Sequence, residues 1–283
     1  MKVARYSFEG REWLGAVSDD GQSLAPLCAA DERGDLVEFI ESATPAAPAG
    51  AVLALQQVKL LAPIRRPRRN IWCVGRNYRA HAQELAATVF KDNNKDVASW
   101  PIVFTKAPEC VVGPHDDVGL AAEVTAAVDY EAEIAVVIGK GGKNIKRTNA
   151  MDHVYGYTVV NDVTARDVQL RHQQWDMGKS FDTFCPMGPW IVTADALDIQ
   201  TSGVKCWVND ELRQDGRVND LIFDIPHLIE TISTGITLYP GDVIATGTPA
   251  GVGQGMTPPV FLRAGDVVRI EVDGIGTIAN RFV

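Results

Sequence analysis

The sequence predicts an α+β protein in which β-strands predominate. From Val128 to Ile138 the residues fall into two alternating sets, one of them apolar throughout, as in a β-strand. The last third of the chain consists of short apolar stretches separated by turns, including a hairpin turn at Asp273-Gly274. The helical stretches are few and do not alternate with the strands, which argues against a βαβ chain.

The first 65 residues are expected to form a small β-rich N-terminal module that precedes a main domain at 66–283. Residues 42–50 are small, as in a linker, and the basic pair Arg65-Arg66 between two prolines marks the boundary. Within the module we expect strands at 2–8, 12–17 and 58–62 and helices at 36–40 and 51–57.

In the main domain, periodicity and turn residues define many short strands and three helices. The last helix is expected to have Asp224 as its N-cap and Pro226 in its first turn. Residues 84–100 show no apolar period, so we expect them to form a mobile lid. The other expected helices are 79–87 and 164–174, and the expected strands are 71–74, 101–106, 128–138, 155–160, 189–193, 204–208, 211–213, 242–245, 267–272 and 275–281.

The composition, with 46% hydrophobic and 22% charged residues, is that of a soluble globular protein. A net charge of −9 and a pI of about 5.1 argue against nucleic acid or an anionic membrane as the main partner. No apolar run approaches the roughly 20 residues of a membrane span. Five scattered cysteines without a CxxC pair indicate reduced thiols, and we expect a cytoplasmic protein.

The sequence does not match three common motifs, two of which bind nucleotides and one of which carries a catalytic nucleophile. Gly178-Lys179-Ser180 resembles the end of a phosphate-binding loop, but that loop requires a glycine where Gln173 stands. The glycines of a dinucleotide-binding motif open a helix. The glycines at 251–255 do not, because two prolines follow at 258 and 259. The chain has no Gly-x-Ser-x-Gly segment.

Three carboxylates form the main candidate site. Glu131 and Glu133 lie on the same face of the strand predicted at 128–138, and that face becomes apolar further along. Asp162 follows the next strand and is placed to join them. Three carboxylates without a nearby His or Cys suit Mg²⁺ or Mn²⁺, whereas the alternative interpretation is an acidic edge strand.

Two further groups of residues carry functional hypotheses. His81 and Glu84 share a helix face, where the carboxylate would orient the imidazole as a base, although a surface pair is the simpler interpretation. Arg166 and Gln169 follow Asp162 at helical spacing, which a routine helix ion pair would also explain. The residues that would bind an anionic oxygen, or merely lie on the surface, are Lys106, Lys179 and Thr248.

Taken together, these segments resemble the fumarylacetoacetate hydrolase family, in its shorter bacterial and acylpyruvase-type branch. The resemblance covers roughly residues 68–283, and several motifs occur in the same order. The matching segments are CVGRNYRAHAQEL at 73–85, PIVFTKAP at 101–108, DYEAEIAVVIG at 129–139, YGYTVVNDVTARDVQ at 155–169, GKSFDTFCPMGPW at 178–190 and YPGDVIATGTPAGVG at 239–253.

The resemblance implies a β-roll of mixed sheets, a homodimer and a Mg²⁺ site, with Mn²⁺ or Ca²⁺ as substitutes. It implies that Glu131, Glu133 and Asp162 bind the metal. It also implies that Lys179 lies near metal and substrate, and that His81 and Glu84 activate water from a lid. The substrate-side positions are Arg76, Tyr78, Lys106, Arg166, Gln169 and Thr248.

The chain departs from the family pattern at two places. Full-length eukaryotic members have a further aspartate in a region where this chain has Cys73-Val74-Gly75. The absence of that aspartate is usual in the shorter branch. Glu109 stands where small hydroxyl residues are common in relatives, which leaves open the group at the far end of the substrate.

The function that the resemblance implies is Mg²⁺-dependent hydrolysis of a carbon–carbon bond in a 2,4-diketo acid, with release of pyruvate. The expected substrate is an acylpyruvate such as fumarylpyruvate, or a related product of aromatic ring cleavage or sugar-acid catabolism. Two alternatives use the same metal site: decarboxylation of an oxaloacetate-type acid, and isomerisation or hydration of a dienoic diacid. A further alternative is a binding module that has the fold without the chemistry.

Overall fold

A computed structural model describes residues 1–30, 36–42, 50–88, 98–171 and 174–283 of the chain. The helices are α1 (Leu36–Ser42), α2 (Arg79–Thr88), α3 (Arg166–Arg171), α4 (Asp176–Lys179) and α5 (Ile225–Ser233). The strands are β1 (Lys2–Phe8), β2 (Arg11–Val17), β3 (Ser23–Ala29), β4 (Leu53–Ala54), β5 (Lys59–Leu61), β6 (Ile71–Gly75), β7 (Ile102–Lys106), β8 (Val111–Val112), β9 (Val128–Asp129), β10 (Ala132–Ile138), β11 (Val154–Asn161), β12 (Thr164–Ala165), β13 (Cys185–Thr193), β14 (Gly203–Val208), β15 (Glu211–Arg217), β16 (Val243–Ala245), β17 (Val267–Val272) and β18 (Gly276–Arg281).

Three sheets account for the strands of the described residues. The large sheet runs in the order β4-β3-β2-β1-β13-β11-β10-β16-β6-β7, with β5 beside β1 and β8 beside β13. Its pairings are antiparallel except for β16 with β6 and β8 with β13. The order of the second sheet is β15-β14-β17-β18, and β9 pairs with β12. The predicted β-dominated α+β class is therefore confirmed.

The N-terminal strands continue into the main sheet. β1 pairs with β13, so the large sheet contains strands from both sides of residue 65. The boundary at that residue stays a prediction. In this part of the chain the helix expected at 51–57 is wrong: β4 pairs with β3 there, and only a 3₁₀ turn follows at Leu55–Gln57.

The centre of the large sheet is β10, which is buried along its whole length between β11 and β16. The long strand expected at 128–138 is divided before β10, because side chains replace strand partners at the break. The backbone N–H of Glu131 donates to the Asn161 side chain, and that of Ala132 donates to the Gln214 side chain. The chain therefore bends at this point without leaving a buried donor unpaired.

Two other helix predictions have different outcomes. Asp224 caps α5 as expected, since its carboxylate accepts from the backbone N–H of His227 at 2.9 Å. The helix expected at 164–174 begins only at Arg166, because Thr164 and Ala165 pair with β9 instead. Of the expected lid at 84–100, residues 89–97 lie outside the described residues.

Two further features concern membrane-spanning helices and the cysteines. No helix in the described parts of the chain combines the length and apolar character that a membrane crossing requires. All five cysteines lie within the described residues, and none of them forms a disulfide bond.

The contact between β11 and β13 depends on a glycine. Gly156 pairs with Thr193 next to an irregularity in the register. A Cβ atom at position 156 would lie 2.2 Å from the backbone oxygen of Val192, which belongs to the neighbouring strand and cannot rotate away. The two strands approach this closely only because the side chain is missing.

We therefore predict that Gly156→Ala lowers the free energy of unfolding by about 1–3 kcal/mol, the usual cost of overpacking. The control is Gly119→Ala, because a Cβ at Gly119 would meet only Thr183 Oγ1 at 3.8 Å. Equilibrium denaturation in urea measures both variants against the parent chain. An equal change in the two variants would show that the contact with Val192 is unimportant.

Candidate active site

Two neighbouring strands bring three carboxylates together. Ala132 at the start of β10 pairs with Asn161 at the end of β11, so the residues next to these positions meet. One carboxylate oxygen from each of Glu131, Glu133 and Asp162 lies within 4.8 Å of the others, and all three residues are buried. The structure thus places together the three residues that the sequence singles out as metal ligands.

The chemistry of this cluster fits a divalent cation. Burial, followed by the nearby charges of Asp162 and Glu131, raises the pKa of Glu133 well above its usual value. The cluster therefore resists carrying three negative charges, and a cation among its oxygens would remove that resistance. Oxygen ligands of this kind suit hard cations such as Mg²⁺ and Mn²⁺.

Two lysines and an arginine already neutralise part of the cluster. Lys179 Nζ lies 2.7 Å from Glu131 Oε2 and 2.8 Å from Asp162 Oδ2, and Lys106 Nζ lies 2.7 Å from Asp162 Oδ1. Arg166 Nη1 lies 2.7 Å from Glu131 Oε1. Burial alone would raise the pKa of Glu131, but Lys179 and Arg166 outweigh it and lower the pKa to about 2.

A fourth buried carboxylate, Asp129, was not assigned a role from the sequence. It accepts hydrogen bonds from Arg166 Nε at 2.9 Å and from the backbone N–H groups of Gly253 and Gln254 at 2.8 and 2.9 Å. Its only signal in the sequence was its position two residues before Glu131 on the same strand face. Asp129 fixes the direction of the Arg166 guanidinium.

Arg166 retains unused hydrogen-bonding capacity. Its Nη1 also contacts Gln169 Oε1 at 3.2 Å, whereas its Nη2 is buried and has no hydrogen-bond partner among the described residues. Both residues line the pocket beside the carboxylates. A buried guanidinium nitrogen without a partner is costly unless a ligand meets it, which favours an anionic ligand here.

His81 and Glu84 form a pair on α2 in which His81 is buried and Glu84 is partly buried. His81 Nδ1 lies 3.0 Å from Glu84 Oε2, and only 2% of His81 is exposed. The interpretation as a surface pair is therefore wrong. His81 lines the same pocket as Glu131 and Glu133, so its other ring nitrogen, Nε2, is the one left for chemistry.

The loop from Thr246 to Gly255 supplies backbone donors to the site. Gly247 N–H donates to Glu133 Oε2 at 2.8 Å, and Gly251 N–H donates to Glu84 Oε1 at 3.0 Å. The Thr248 hydroxyl donates to the backbone oxygen of Ala132 at 2.9 Å. The loop therefore holds the carboxylate cluster and the His81–Glu84 pair at once.

Apolar side chains close one side of the pocket. Phe104 and Trp175 meet edge to face with ring centroids 5.2 Å apart, and Leu170 adds to the wall. Periodicity gave no indication of this wall, because its members come from separate elements. The pocket residues are Val74, Gly75, Arg76, His81, Phe104, Glu131, Glu133, Arg166, Gln169, Leu170, Trp175, Lys179, Thr248 and Gln254.

The remaining substrate-side predictions separate into two groups. Arg76 and Thr248 line the pocket, together with Arg166 and Gln169. Lys106 instead contacts Asp162 and is not among the residues that line the pocket. Tyr78 lines a separate groove, and its hydroxyl is buried without a hydrogen-bond partner among the described residues.

Glu109, the residue at which the chain departs from the family pattern, lies outside the pocket. It forms a solvent-exposed ion pair with Arg66, whose Nη2 is 2.5 Å from Glu109 Oε1. Both side chains are more than half exposed. Glu109 is therefore not one of the groups that surround the three carboxylates.

Comparison with known proteins identifies the family. A family model described as the C-terminal domain of fumarylacetoacetate hydrolase matches residues 70–283. A Bacillus subtilis protein named oxaloacetate tautomerase YisK is 52% identical over 230 residues, which are 81% of this chain and 74% of that protein.

Two solved structures share the whole fold. The fumarylacetoacetate hydrolase of Exiguobacterium antarcticum matches with a TM-score of 0.88 and 40% identity, covering 100% of this chain and 99% of that one. The maleylpyruvate hydrolase of Sphingobium sp. SYK-6, solved with manganese(II) and pyruvate, matches with a TM-score of 0.78 and 33% identity, covering 100% and 99% of the two chains. The chain therefore belongs to the fumarylacetoacetate hydrolase family.

Proposed function

We propose that this chain is a Mg²⁺-dependent enzyme that interconverts the enol and keto forms of a small 2-oxo diacid, with oxaloacetate as the substrate. The observation that carries the proposal is one pocket in which His81 and Arg166 lie beside three buried carboxylates, with Arg166 Nη2 lacking a hydrogen-bond partner among the residues that the structure describes. The name of the Bacillus subtilis relative supports the choice of reaction.

The metal would be held by Glu131, Glu133 and Asp162. Its chemistry, when bound, is Lewis-acid stabilisation of negative charge on an oxygen next to the reacting carbon. Mg²⁺ is the preferred ion because all three ligands are carboxylates, and Mn²⁺ or Ca²⁺ would substitute. The manganese in the maleylpyruvate hydrolase structure supports a divalent ion in this fold.

Arg166 would bind the distal carboxylate of the substrate. Its Nε and Nη1 are held by Asp129 and Glu131, so Nη2 is presented with little freedom to move. A carboxylate there receives a charge-assisted hydrogen bond from a group that is already desolvated. The substrate is thereby oriented before any proton moves.

His81 would transfer the proton. With Nδ1 hydrogen-bonded to Glu84, Nε2 accepts a proton from C3 in the keto-to-enol direction and returns it in the reverse direction. His81 would then deliver the proton taken from C3 to the C2 oxygen, so that the reaction moves one proton within the substrate and neither gains nor loses one overall. Lys179 keeps a positive charge beside Glu131 and Asp162, and the wall of Phe104 and Trp175 limits the entry of water.

Hydrolysis of an acylpyruvate is the second candidate. An imidazole oriented by Glu84 is equally suited to deprotonate a water that attacks the distal ketone. The maleylpyruvate hydrolase with bound pyruvate supports this reaction. Decarboxylation of oxaloacetate would share the enolate, so the products must be identified separately. The homodimer and the cytoplasmic location also stay predictions.

The proposed reaction predicts rapid hydrogen exchange at C3 without loss of carbon. In D₂O with Mg²⁺, the enzyme is expected to deuterate oxaloacetate at C3 faster than pyruvate appears, as followed by ¹H NMR above the uncatalysed rate. His81→Ala should reduce this exchange by about 10²-fold or more. The control is His115→Ala, since His115 is exposed and lies outside the pocket.

Each other outcome of the D₂O experiment selects a rival reaction. Pyruvate and carbon dioxide formed as fast as deuterium enters would indicate a decarboxylase. Cleavage of an acylpyruvate to pyruvate and a second acid, without catalysed conversion of oxaloacetate, would indicate the hydrolase.

The role of Arg166 predicts a substrate-selective defect. Arg166→Lys keeps a positive charge beside Asp129 and Glu131 but cannot also reach a ligand with a second nitrogen. We expect kcat/KM for C3 exchange of oxaloacetate to fall by about 10- to 100-fold, as for a lost hydrogen bond to a charged group. Exchange of 2-oxobutanoate, which has no distal carboxylate, should fall much less. Equal losses for both acids would mean that Arg166 only supports the fold.

The metal assignment predicts opposite effects of one variant with and without the ion. Because the pKa of Glu133 is raised in the folded chain, protonation of Glu133 favours the folded state. This stabilisation is fully present below the usual pKa of 4.5 and is lost as the pH rises toward the raised pKa. In chelator, Glu133→Gln should therefore exceed the parent chain in melting temperature, and more so at pH 8 than at pH 5. Addition of Mg²⁺ at neutral pH should raise the melting temperature substantially only for the parent chain.

Thermal unfolding across this pH range, in chelator and in Mg²⁺, tests the metal assignment. Glu109→Gln is the control, because Glu109 is exposed and pairs with Arg66 at the surface. A Glu133→Gln protein that Mg²⁺ stabilises as strongly as the parent chain would refute the assignment of Glu133 as a ligand.

A further inference from the structure

Three groups of the described residues contact the carboxylate of Glu84. Its Oε2 contacts His81 Nδ1, and its Oε1 accepts from the backbone N–H of Gly251, each at 3.0 Å. The third group is Gly255: a Cβ there would lie 2.3 Å from both Cδ and Oε1 of Glu84. The carboxylate therefore rests directly against the Cα of Gly255. We call the turn from Gly251 to Gly255 the glycine seat.

The glycine seat is anchored independently of α2. Asp129 accepts hydrogen bonds from two of its backbone N–H groups, and the Tyr130 hydroxyl donates to the backbone oxygen of Gly251 at 2.8 Å. The backbone oxygen of Gly253 also accepts from Val260 N–H at 3.0 Å. Since Asp129 also binds Arg166, the seat has a fixed position relative to the carboxylate cluster.

We propose that Gly255 is a positioning residue for the His81–Glu84 pair. Its missing side chain admits the Glu84 carboxylate to the place where that carboxylate orients His81 toward the pocket. The reaction that the pair serves rests on the proposed function, whereas the geometry of the pair does not.

A side chain at position 255 should displace Glu84 without unfolding the chain. The nearest atoms to a Cβ there are Cδ, Oε1 and Cγ of Glu84, the outer part of a flexible side chain. Gly255 is not among the residues with positive φ, so alanine suits its backbone. Gly251 and Gly253 differ, because a Cβ at either would lie 1.8 or 2.0 Å from a backbone oxygen.

The first test is direct observation of the imidazole. In ¹⁵N-histidine-labelled, metal-free protein, Gly255→Ala should shift the His81 ring nitrogen signals toward those of Glu84→Ala, because both lose the hydrogen bond at Nδ1. Gly119→Ala should leave these signals unchanged. Unchanged His81 signals in Gly255→Ala would overturn the proposal. This measurement requires no turnover, so it stands even if no substrate of the proposed class is accepted.

The second test is rescue by a shorter carboxylate. Gly255→Ala should reduce kcat for C3 exchange by about 10²-fold, the scale of a misplaced catalytic group, with little change in KM. Adding Glu84→Asp retracts the carboxylate from the new methyl group, and should recover part of this loss and any lost melting temperature. If Gly255→Ala is destabilised and Glu84→Asp restores neither activity nor stability, the new methyl group contacts something other than Glu84, and the proposal fails.

Discussion

The structure depends on a buried network of opposite charges. Four carboxylates, from Asp129, Glu131, Glu133 and Asp162, share one interior with the cations of Lys106, Arg166 and Lys179. Each cation connects elements that are distant in sequence: Arg166 joins α3 to β9, Lys106 joins β7 to the end of β11, and Lys179 joins α4 to the same strand end. Removing one of the three cations would leave a buried carboxylate uncompensated, at a cost of about 3–5 kcal/mol. The residues of the candidate metal site are therefore also the residues that hold these elements together.

Much of this site could be predicted from the sequence, because its signals are local. The period of two places Glu131 and Glu133 on one face, and that relation survives although the expected strand is divided before Ala132. The spacing of three between His81 and Glu84 is enough to bring them together on a helix. The β-dominated class follows in the same way from the alternation and the turns.

What the sequence does not reveal depends on contacts between distant segments. Asp129 meets the backbone of Gly253 across 124 residues, and no pattern in either segment indicates the other. The wall of Phe104 and Trp175 arises in the same way. The error at 164–165 has a similar cause: helical propensity was outweighed by pairing with β9, which only the tertiary fold provides.

The loop between Thr246 and Gly255 contributes through its main chain, with N–H groups that hold Glu133, Glu84 and Asp129. A peptide N–H is present whatever side chain the residue carries, unless that residue is proline. Substitutions elsewhere in the loop that preserve its conformation therefore leave these anchors intact, whereas a Cβ at Gly251 or Gly253 would collide with a backbone oxygen and one at Gly255 would collide with Glu84. Side chains such as Leu170 and Phe104 are then free to change pocket size and polarity. When main-chain groups hold the site and side chains shape the pocket, one fold can acquire new substrates while the residues of the candidate site keep their positions.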